Sequence, residues 1–259
     1  MSAADVARRF SGLERLYGVG GAAAIGQAHV AVVGIGGVGS WAVEALARSG
    51  VGRISLVDFD QVAESNINRQ IQAETATVGM AKVDAMAERI ARVNPSCTVQ
   101  RIEEFATPEN WASMVDGLER QGLSAVIDAC DQVKTKTALA AWARSRKALF
   151  ISVGAAGGKR RADKVEIADL SEATHDPLLA QLRYRLRREH AAPRDKRIGV
   201  NVVFSRESVA APDASCAMED TDGTLNCHGY GSVVSVTASF GMCAAGWVLD
   251  KLSTSTKPQ

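Results

Sequence analysis

Residues 29–60, HVAVVGIGGVGSWAVEALARSGVGRISLVDFD, decide the fold class of this chain. A short apolar run, 30–33, leads into a glycine turn and an apolar helical pattern, and a second apolar run, 54–57, closes on Asp58. The glycines of the turn are Gly34, Gly36, Gly37 and Gly39. This order is typical of a nucleotide-binding parallel sheet, because glycines let phosphate approach the backbone and the helix directs its N-terminal amides at it. Asp58 stands where an acceptor for ribose hydroxyls is needed.

Length and composition set wide bounds. The 259 residues suffice for one large α/β domain, and 30 Lys plus Arg against 29 Asp plus Glu leave the partner open. Five cysteines without a C-x-x-C pair, behind an N-terminus that lacks a basic and apolar leader, predict a reducing, cytoplasmic location. Neither DNA binding nor a disulfide framework is expected.

One uncharged stretch, 229–249, is long enough to cross a membrane. It contains four Ser or Thr and four Gly, whereas Leu, Ile and Phe, which favour insertion, are scarce. We therefore expect a buried helix packed on the sheet and no membrane contact. A peripheral or membrane-associated location through 229–249 is the alternative.

Apolar periodicity extends the α/β pattern through the chain. The predicted helices cover 4–17, 38–46, 80–93, 108–118, 135–146, 177–188 and 229–249, with Thr107 as an N-cap before Pro108. The predicted strands are 30–33, 54–57, 98–102, 125–127, 149–153, 165–168 and 199–205. We expect one Rossmann-like, mostly parallel sheet with flanking helices and an antiparallel extension in the C-terminal part. A single domain would comprise an N-terminal helix and arm, a nucleotide-binding core, a C-terminal extension with a mobile loop at 208–228, and a tail, at 1–28, 29–158, 159–252 and 253–259.

Acids and cations follow the glycine turn at predicted strand ends and helix starts, where open α/β sheets bind ligands. They are Asp58, Asp60, Asn66, Arg69, Lys82, Asp128 and Asp131. Arg69 and Lys82 suit a triphosphate and the charge that develops when its α-phosphate is attacked. Asp131 suits Mg²⁺, which prefers carboxylate and phosphate oxygens. Each residue alone could equally be a surface charge, but the set favours ATP. An NAD-dependent dehydrogenase would leave Arg69, Lys82 and Asp131 without a role.

Five motifs resemble the adenylating enzymes related to ubiquitin activators and to the activators of the thiamine and molybdopterin sulfur carriers. They are GIGGVGS (34–40), LVDFDQV (56–62), ESNINRQ (64–70), VGMAK (78–82) and VIDACDQV (126–133). Four further stretches resemble a branch of this family that cyclises threonylcarbamoyladenosine at position 37 of tRNA. They are RFSGLERLYG (9–18), GVNVVFSRE (199–207), SCAMED (215–220) and NCHGYGSVVSVTASFG (226–241).

The resemblance implies roles for individual residues. Asp58 and Asn66 would contact ribose, Arg69 and Lys82 the phosphates, and Asp131 would be the magnesium ligand or catalytic acid. The glycine turn, with Asp60 and Asp128 at neighbouring strand ends, would lie around the nucleotide. Family members also form homodimers in which an arginine of an R-[FY]-x-R motif reaches the neighbouring site. Gly12 occupies the place of that arginine here, so the resemblance leaves Arg15 or Arg9 as its substitute.

Departures from the family separate its branches. Sulfur-carrier activators commonly bind zinc through two C-x-x-C pairs, which this chain lacks, so no zinc is expected. Cys227 is a candidate nucleophile or sulfur acceptor, which would imply a cysteine desulfurase or sulfur-acceptor partner, or else a buried thiol. The alternative function is adenylation of the C-terminal carboxylate of a small sulfur-carrier protein. A non-catalytic tRNA-binding protein is a further alternative.

A basic segment, 183–197, contains seven Arg or Lys against two acids. An anticodon loop is a polyanion with unstacked bases, so it needs cations near the opening of the site. We therefore expect this segment to bind tRNA, unless it is a solvated, mobile insertion. The cations predicted to join it are Lys159, Arg160, Arg161 and Lys164.

Overall fold

The computed structural model describes residues 3–211 and 230–254, with side chains from residue 8 onward. The strands of the described part are β1 (His29–Val33), β2 (Arg53–Val57), β3 (Thr98–Ile102), β4 (Ala125–Asp128), β5 (Phe150–Val153), β6 (Val165–Asp169) and β7 (Asn201–Ser205). The helices are α1 (Ala3–Gln27), α2 (Gly39–Arg48), α3 (Lys82–Val93), α4 (Trp111–Glu119), α5 (Val133–Arg146), α6 (Pro177–Glu189) and α7 (Val234–Thr254).

The strands form a sheet in the order β3-β2-β1-β4-β5-β7-β6. Neighbouring strands are parallel except β6, which runs antiparallel to β7. This confirms the predicted α/β class with an antiparallel C-terminal extension. From the β1–β4 pair the chain moves outward through β2 and β3 on one side and through β5 on the other, so the topological switch point lies there. Ligands of such sheets bind at the carboxyl ends of the strands at this point.

Helices cover both faces of the sheet. Side chains of β1 alternate between the faces: Val30 and Val32 join the core under α2, α3 and α7, while Ala31 and Val33 join the core under α4, α5 and α6. Every residue of β1 is buried. Burial on both faces explains why the central strands read as continuous apolar runs rather than as alternating patterns.

The first helix, α1, lies at the amino-terminal edge of the sheet, opposite the switch-point crevice. It is longer than predicted and breaks at Gly18, whose φ is 75°. Arg9 Nη1 donates to Val93 O, at the end of α3, over 2.8 Å. The ring of Phe10 packs beneath Gly50, just after α2. Both contacts tie α1 to helix C-termini, which point away from the crevice.

Two predicted helix starts are wrong. The fourth helix begins at Trp111 rather than Pro108, because Thr107 and Asn110 form a turn ahead of it. Thr107 N donates to Asn110 Oδ1 over 2.7 Å, and Asn110 N donates to Thr107 Oγ1 over 3.2 Å. The last helix begins at Val234, five residues after the predicted start at 229.

The last helix packs on the protein core as predicted. A side chain at Gly241 would come within 2.5 Å of Val38 O, so its backbone lies directly against the start of α2. Among the described residues, no helix is both long and apolar enough to cross a membrane. Residues 212–228 of the predicted mobile loop, and 255–259 of the predicted tail, lie outside the described part.

Candidate nucleotide site

A cavity of about 830 Å³ opens at the carboxyl ends of β1 and β4. It is bounded by the glycine turn, by the loops after β2 and β3, by the loop after β4, and by the start of α6. Predicted site residues on its wall are Gly34, Gly36, Gly37, Asp58, Asp60, Asn66, Arg69, Lys82 and Asp131. Nine of the predicted residues therefore meet at one crevice, although they span almost a hundred positions of sequence.

The glycine turn is shaped by close backbone approach. Gly34 has a φ of +87°, and a Cβ there would lie 2.9 Å from the backbone of Ala129 and Cys130. Gly39 opens α2, and a Cβ there would lie 1.8 Å from Gly34 O. These two glycines are needed by the fold of the turn itself, because neither site has room for a side chain. Gly36 and Gly37 instead line the cavity.

Asp58 closes the turn and faces the cavity. Its Oδ2 accepts from Ile35 N over 2.6 Å, and its Oδ1 accepts from Asp60 N over 2.9 Å. Burial raises the pKa of Asp58, and the nearby Lys82 ammonium opposes that rise. A carboxylate has about four acceptor positions, so both oxygens keep capacity for a hydroxyl donor.

Lys82 stands at the first position of α3 and points into the cavity. Its Nζ donates to Asp60 Oδ2 over 2.7 Å, and its backbone N donates to Asp60 O over 2.9 Å. The lysine side chain is 8% exposed, whereas that of Asp60 is 52% exposed. This pair keeps the ammonium oriented and leaves two of its three donor hydrogens for other acceptors.

Arg69 lies beside the glycine turn, with its side-chain stem 3.4 Å from where a Cβ of Gly37 would stand. Its Nη1 donates to Ser65 O over 2.7 Å and to Asn68 Oδ1 over 2.9 Å. Burial lowers the pKa of Arg69. No carboxylate in the described part of the chain pairs with it, so this half-buried cation lacks an acidic partner. Such a guanidinium suits a phosphate.

Asn66 is buried on the same cavity wall. Its Oδ1 accepts from Ala63 N over 3.2 Å, and its backbone O accepts from the N–H groups of Arg69 and Gln70. Asn66 therefore shapes the turn that carries Arg69 as well as facing the cavity.

A glycine turn, acids and cations on the wall of one cavity suit a nucleotide with its phosphates. The model of the ThiF family matches residues 9–259. The chain belongs to the ThiF family.

Similar proteins span nearly the whole chain. A tRNA threonylcarbamoyladenosine dehydratase of Haemophilus influenzae is 42% identical over 248 residues, covering 95% of this chain and 93% of the relative. Crystal structures of the E. coli tRNA N6-threonylcarbamoyladenosine dehydratase, TcdA, in complex with ATP and in complex with AMP are 41% identical. They superpose with TM-scores of 0.85 and 0.84, covering 95% of this chain and 94% of each.

In this ThiF-family chain the two acids of the DACD motif take different positions. Asp131 lines the cavity, whereas Asp128 is fully buried beneath it and is absent from the cavity wall. Asp128 Oδ2 accepts from Lys136 Nζ over 3.0 Å and from Ser152 Oγ over 2.6 Å. The prediction of direct nucleotide contact by Asp128 does not fit this burial, because protein donors surround the carboxylate.

A divalent cation fits one part of the site. Mg²⁺ is commonly bound by one or two carboxylates together with substrate phosphates, so a dedicated protein cage is not required. In 3–211 and 230–254 no group of three or more His, Cys, Asp or Glu clusters as a metal site. Asp131, which lines the same cavity as Arg69 and Lys82, is the donor that suits a nucleotide-bound cation.

Sequence reasoning missed several cavity residues. Lys134 is exposed and lines the cavity next to Asp131, and Thr107 and Tyr230 lie on its wall. Lys134 follows directly on the VIDACDQV motif, so its place after a strand end was the available signal.

One predicted catalytic residue is not brought to the cavity within one chain. Arg15 is on α1, at the opposite edge of the sheet, and does not line the cavity. Cys227 lies outside the described residues.

The basic segment 183–197 does not line the cavity, and one of its cations, Arg183, is held by backbone carbonyls. Arg183 Nη1 donates to Leu170 O and Ala173 O over 3.1 and 2.7 Å, and burial lowers its pKa. Since α6 starts at the cavity with Pro177 and runs 13 residues, its basic end lies about 20 Å away, at the amino edge. The prediction that the basic segment lies at the cavity opening is therefore wrong.

Lys159 is also wrongly predicted as a surface cation. It is 1% exposed, because its Nζ donates to three backbone carbonyls, those of His175, Ser205 and Glu207, over 3.0, 3.1 and 2.8 Å. Its role is to join loops beneath the cavity rim.

Proposed function

We propose that this protein is an ATP-dependent enzyme that dehydrates N6-threonylcarbamoyladenosine at position 37 of tRNA through carboxylate adenylation. The observation that carries the proposal is one cavity that combines a glycine turn, a ribose acceptor and cations suited to phosphate, in a chain similar over nearly its full length to dehydratases of this name. An adenylating site needs cations at the phosphates in addition to the acid after β2.

The proposed reaction has two steps. The threonyl carboxylate attacks the α-phosphate of ATP, which forms an acyl-adenylate and releases pyrophosphate. A nitrogen or oxygen of the carbamoyl group then attacks the activated carbonyl, closing a ring and expelling AMP. One water is removed in total. The second step is intramolecular, so holding the two groups in place provides much of its acceleration.

Each cavity residue then has a task. Asp58 accepts the ribose hydroxyls, and Asn66 lines the same side of the nucleotide. Arg69 and Lys82 bind the phosphates and stabilise charge that develops at the α-phosphate. Asp131 would hold Mg²⁺, which would neutralise phosphate charge when bound.

The tRNA would approach over the cations at the start of β6. Because β6 is antiparallel to β7, Val165 pairs with Ser205 at the carboxyl edge, on the same side as the cavity. Arg160, Arg161 and Lys164 precede it and are exposed. This surface replaces the one predicted at 183–197.

We further propose a cytoplasmic homodimer in which Arg15 reaches the cavity of the neighbouring protomer. The position of α1 away from its own cavity supports this arrangement, because Arg15 has no route to the nucleotide within the chain. Cys227 would be the contact for a sulfur-acceptor or cysteine desulfurase partner. Sedimentation at micromolar concentration tests the dimer, and a fully active monomer would contradict it.

The function is tested with purified protein and MgATP. Threonylcarbamoyladenosine-containing tRNA should trigger release of AMP and pyrophosphate, and the modified nucleoside should lose the mass of one water. Unmodified tRNA is the matched control and should trigger neither. AMP release with a small sulfur-carrier protein, but not with the tRNA, would establish the alternative function instead. Tight NAD binding without a response to ATP would refute both.

A further inference from the structure

A fully buried lysine lies beneath the loop that carries Asp131. Lys136 is 0% exposed and sits on the first turn of α5. Its Nζ donates to Cys130 O over 2.8 Å and to Asp128 Oδ2 over 3.0 Å. An ammonium without contact to solvent requires such partners, because burial of an unpaired charge is very costly.

Lys136 and Asp128 together bond the backbone N–H and C=O groups of one loop residue, Cys130. Asp128 Oδ1 accepts from Cys130 N over 3.2 Å and from Cys130 Sγ over 3.0 Å, while Lys136 holds Cys130 O. Asp131 is the next residue, so the peptide that leads into it is anchored by a buried ion pair. The same loop lies against Gly34, where a Cβ would come within 2.9 Å.

A second buried carboxylate lies close enough to affect the charge of the same lysine. Asp176 is 4% exposed, and its charge favours the ionised form of Lys136. Asp176 Oδ2 accepts from Ala155 N over 2.9 Å, and Oδ1 accepts from Leu179 N over 3.0 Å, which holds the opposite cavity wall to α6. Asp176 thus holds a second wall of the cavity, while the ammonium of Lys136 bonds Asp128 and Cys130 O.

We propose that Lys136 is a positioning residue that, through Asp128 and Cys130 O, holds Asp131 where it can meet a nucleotide-bound divalent cation. This inference rests on the proposed function, since it presumes MgATP in the cavity. A group that holds a metal ligand in place typically changes metal affinity or activity by about tenfold to a hundredfold when it is removed.

A purely structural role makes a different prediction. Lys136→Met alone leaves the Asp128 carboxylate buried without its cation, which destabilises the fold. The double variant Asp128→Asn/Lys136→Met removes both charges, and the introduced amide oxygen can still accept from the backbone N of residue 130. If the pair serves only stability, the double variant should recover the melting temperature and the activity together.

In one measurement, Mg²⁺ is titrated at a fixed ATP concentration. In a second, calorimetry gives the affinity for ATP, with kcat and KM measured alongside. We expect a folded double variant whose half-maximal Mg²⁺ concentration is raised about tenfold or more, with kcat reduced and the KM for tRNA within about threefold of the parent. Lys159→Met is the matched control, because it removes an equally buried ammonium that does not touch the Asp131 loop. It should lower the melting temperature without shifting the Mg²⁺ requirement.

The outcomes separate the two claims. A folded double variant with the parent's Mg²⁺ requirement and kcat would overturn the role of Lys136 while leaving the proposed function intact. An equal Mg²⁺ shift in Lys159→Met would also overturn it, since the effect would then follow general destabilisation. A parent protein that binds MgATP but turns over no tRNA would refute the proposed function, while the calorimetric comparison would still decide the role of Lys136. Failure of the parent to bind ATP would overturn both.

Discussion

Replacing Lys82 by Met should nearly abolish turnover while leaving the fold close to intact. Methionine keeps the length and apolar stem of the side chain and removes only the ammonium. The pair that is lost joins Lys82 Nζ to Asp60 Oδ2 over 2.7 Å, but Asp60 is 52% exposed. Water can therefore solvate the remaining carboxylate, and the stability cost should not exceed about 1 kcal/mol. That corresponds to a loss of about 2–4 °C in melting temperature for a chain of this size.

The effect on the reaction should be much larger. Lys82 is a donor oriented by Asp60 on the cavity wall, and in the proposed reaction it would face the charge that develops on the α-phosphate. Removal of one such donor typically costs about 10²–10³ in kcat, or about 2.7–4 kcal/mol. The predicted separation between the two effects is what identifies a catalytic cation.

The assay measures AMP release at saturating tRNA, together with thermal unfolding of each variant. Arg101→Met is the matched control. Arg101 lies on β3 and forms a 3.0 Å ion pair with Asp84 on α3, the helix that also carries Lys82, but it does not line the cavity. It should keep parental kcat with a similarly small change in stability. Turnover of Lys82→Met within threefold of the parent would refute the assignment. So would an activity loss fully explained by unfolding at the assay temperature.

Three further outcomes test the site and the core. Asp131→Asn should reduce AMP release about a hundredfold or more, through loss of charge stabilisation, with an unchanged melting temperature; near-normal AMP release would contradict its role. Gly39→Ala should abolish ATP binding in calorimetry, since the new Cβ would stand 1.8 Å from Gly34 O, whereas a Cβ at Gly117 would lie 3.9 Å from the Arg120 side chain, so Gly117→Ala should bind ATP as the parent does. Burial lowers the pKa of His29, so the unfolded state binds more protons as pH falls through about 6.5 and stability declines. Urea unfolding at pH 7.5 and 5.5 should show a smaller decline for His29→Gln, and an equal decline would exclude His29 as its source.

The cavity wall proposed to contact the nucleotide was predictable from the sequence, because the spacing of residues after each strand determines it. In a parallel sheet, residues just after strands meet at one edge, so Gly34, Asp58 and Asp131 had to converge once the strands were recognised. Arg69 and Lys82 joined them because short turns return the chain to that edge: Lys82 N bonds Asp60 O, and Trp41 Nε1 bonds Arg69 O. None of this required knowledge of distant side-chain packing.

The split between Asp128 and Asp131 was not predictable in the same way. Both acids lie at or just after the end of one strand, and the sequence does not say which carboxylate will meet a buried partner. Asp128 is still in register with β5, pairing with Ser152, so its side chain points into the sheet's packed layer. Asp131 lies three residues later, in the loop, and reaches the cavity. One strand boundary decides the difference, and boundaries are the least certain feature of a sequence pattern.

For a related reason, a lysine in the sequence does not reliably indicate an exposed position. Lys136 and Lys159 are both among the largest fully buried side chains, and their ammonium groups bond backbone carbonyls of several loops. Carbonyl acceptors are present at every residue, so they leave no trace in composition or periodicity. The cations near the cavity therefore divide by what their charged groups face, which the sequence does not show. Arg69, Lys82 and Lys134 line the space that the polyphosphate would fill, whereas Lys136 and Lys159 bond a buried carboxylate or backbone carbonyls that hold the walls. An anionic ligand can compensate only the charges of Arg69, Lys82 and Lys134. Adding ATP should therefore stabilise the folded parent protein most around these three side chains.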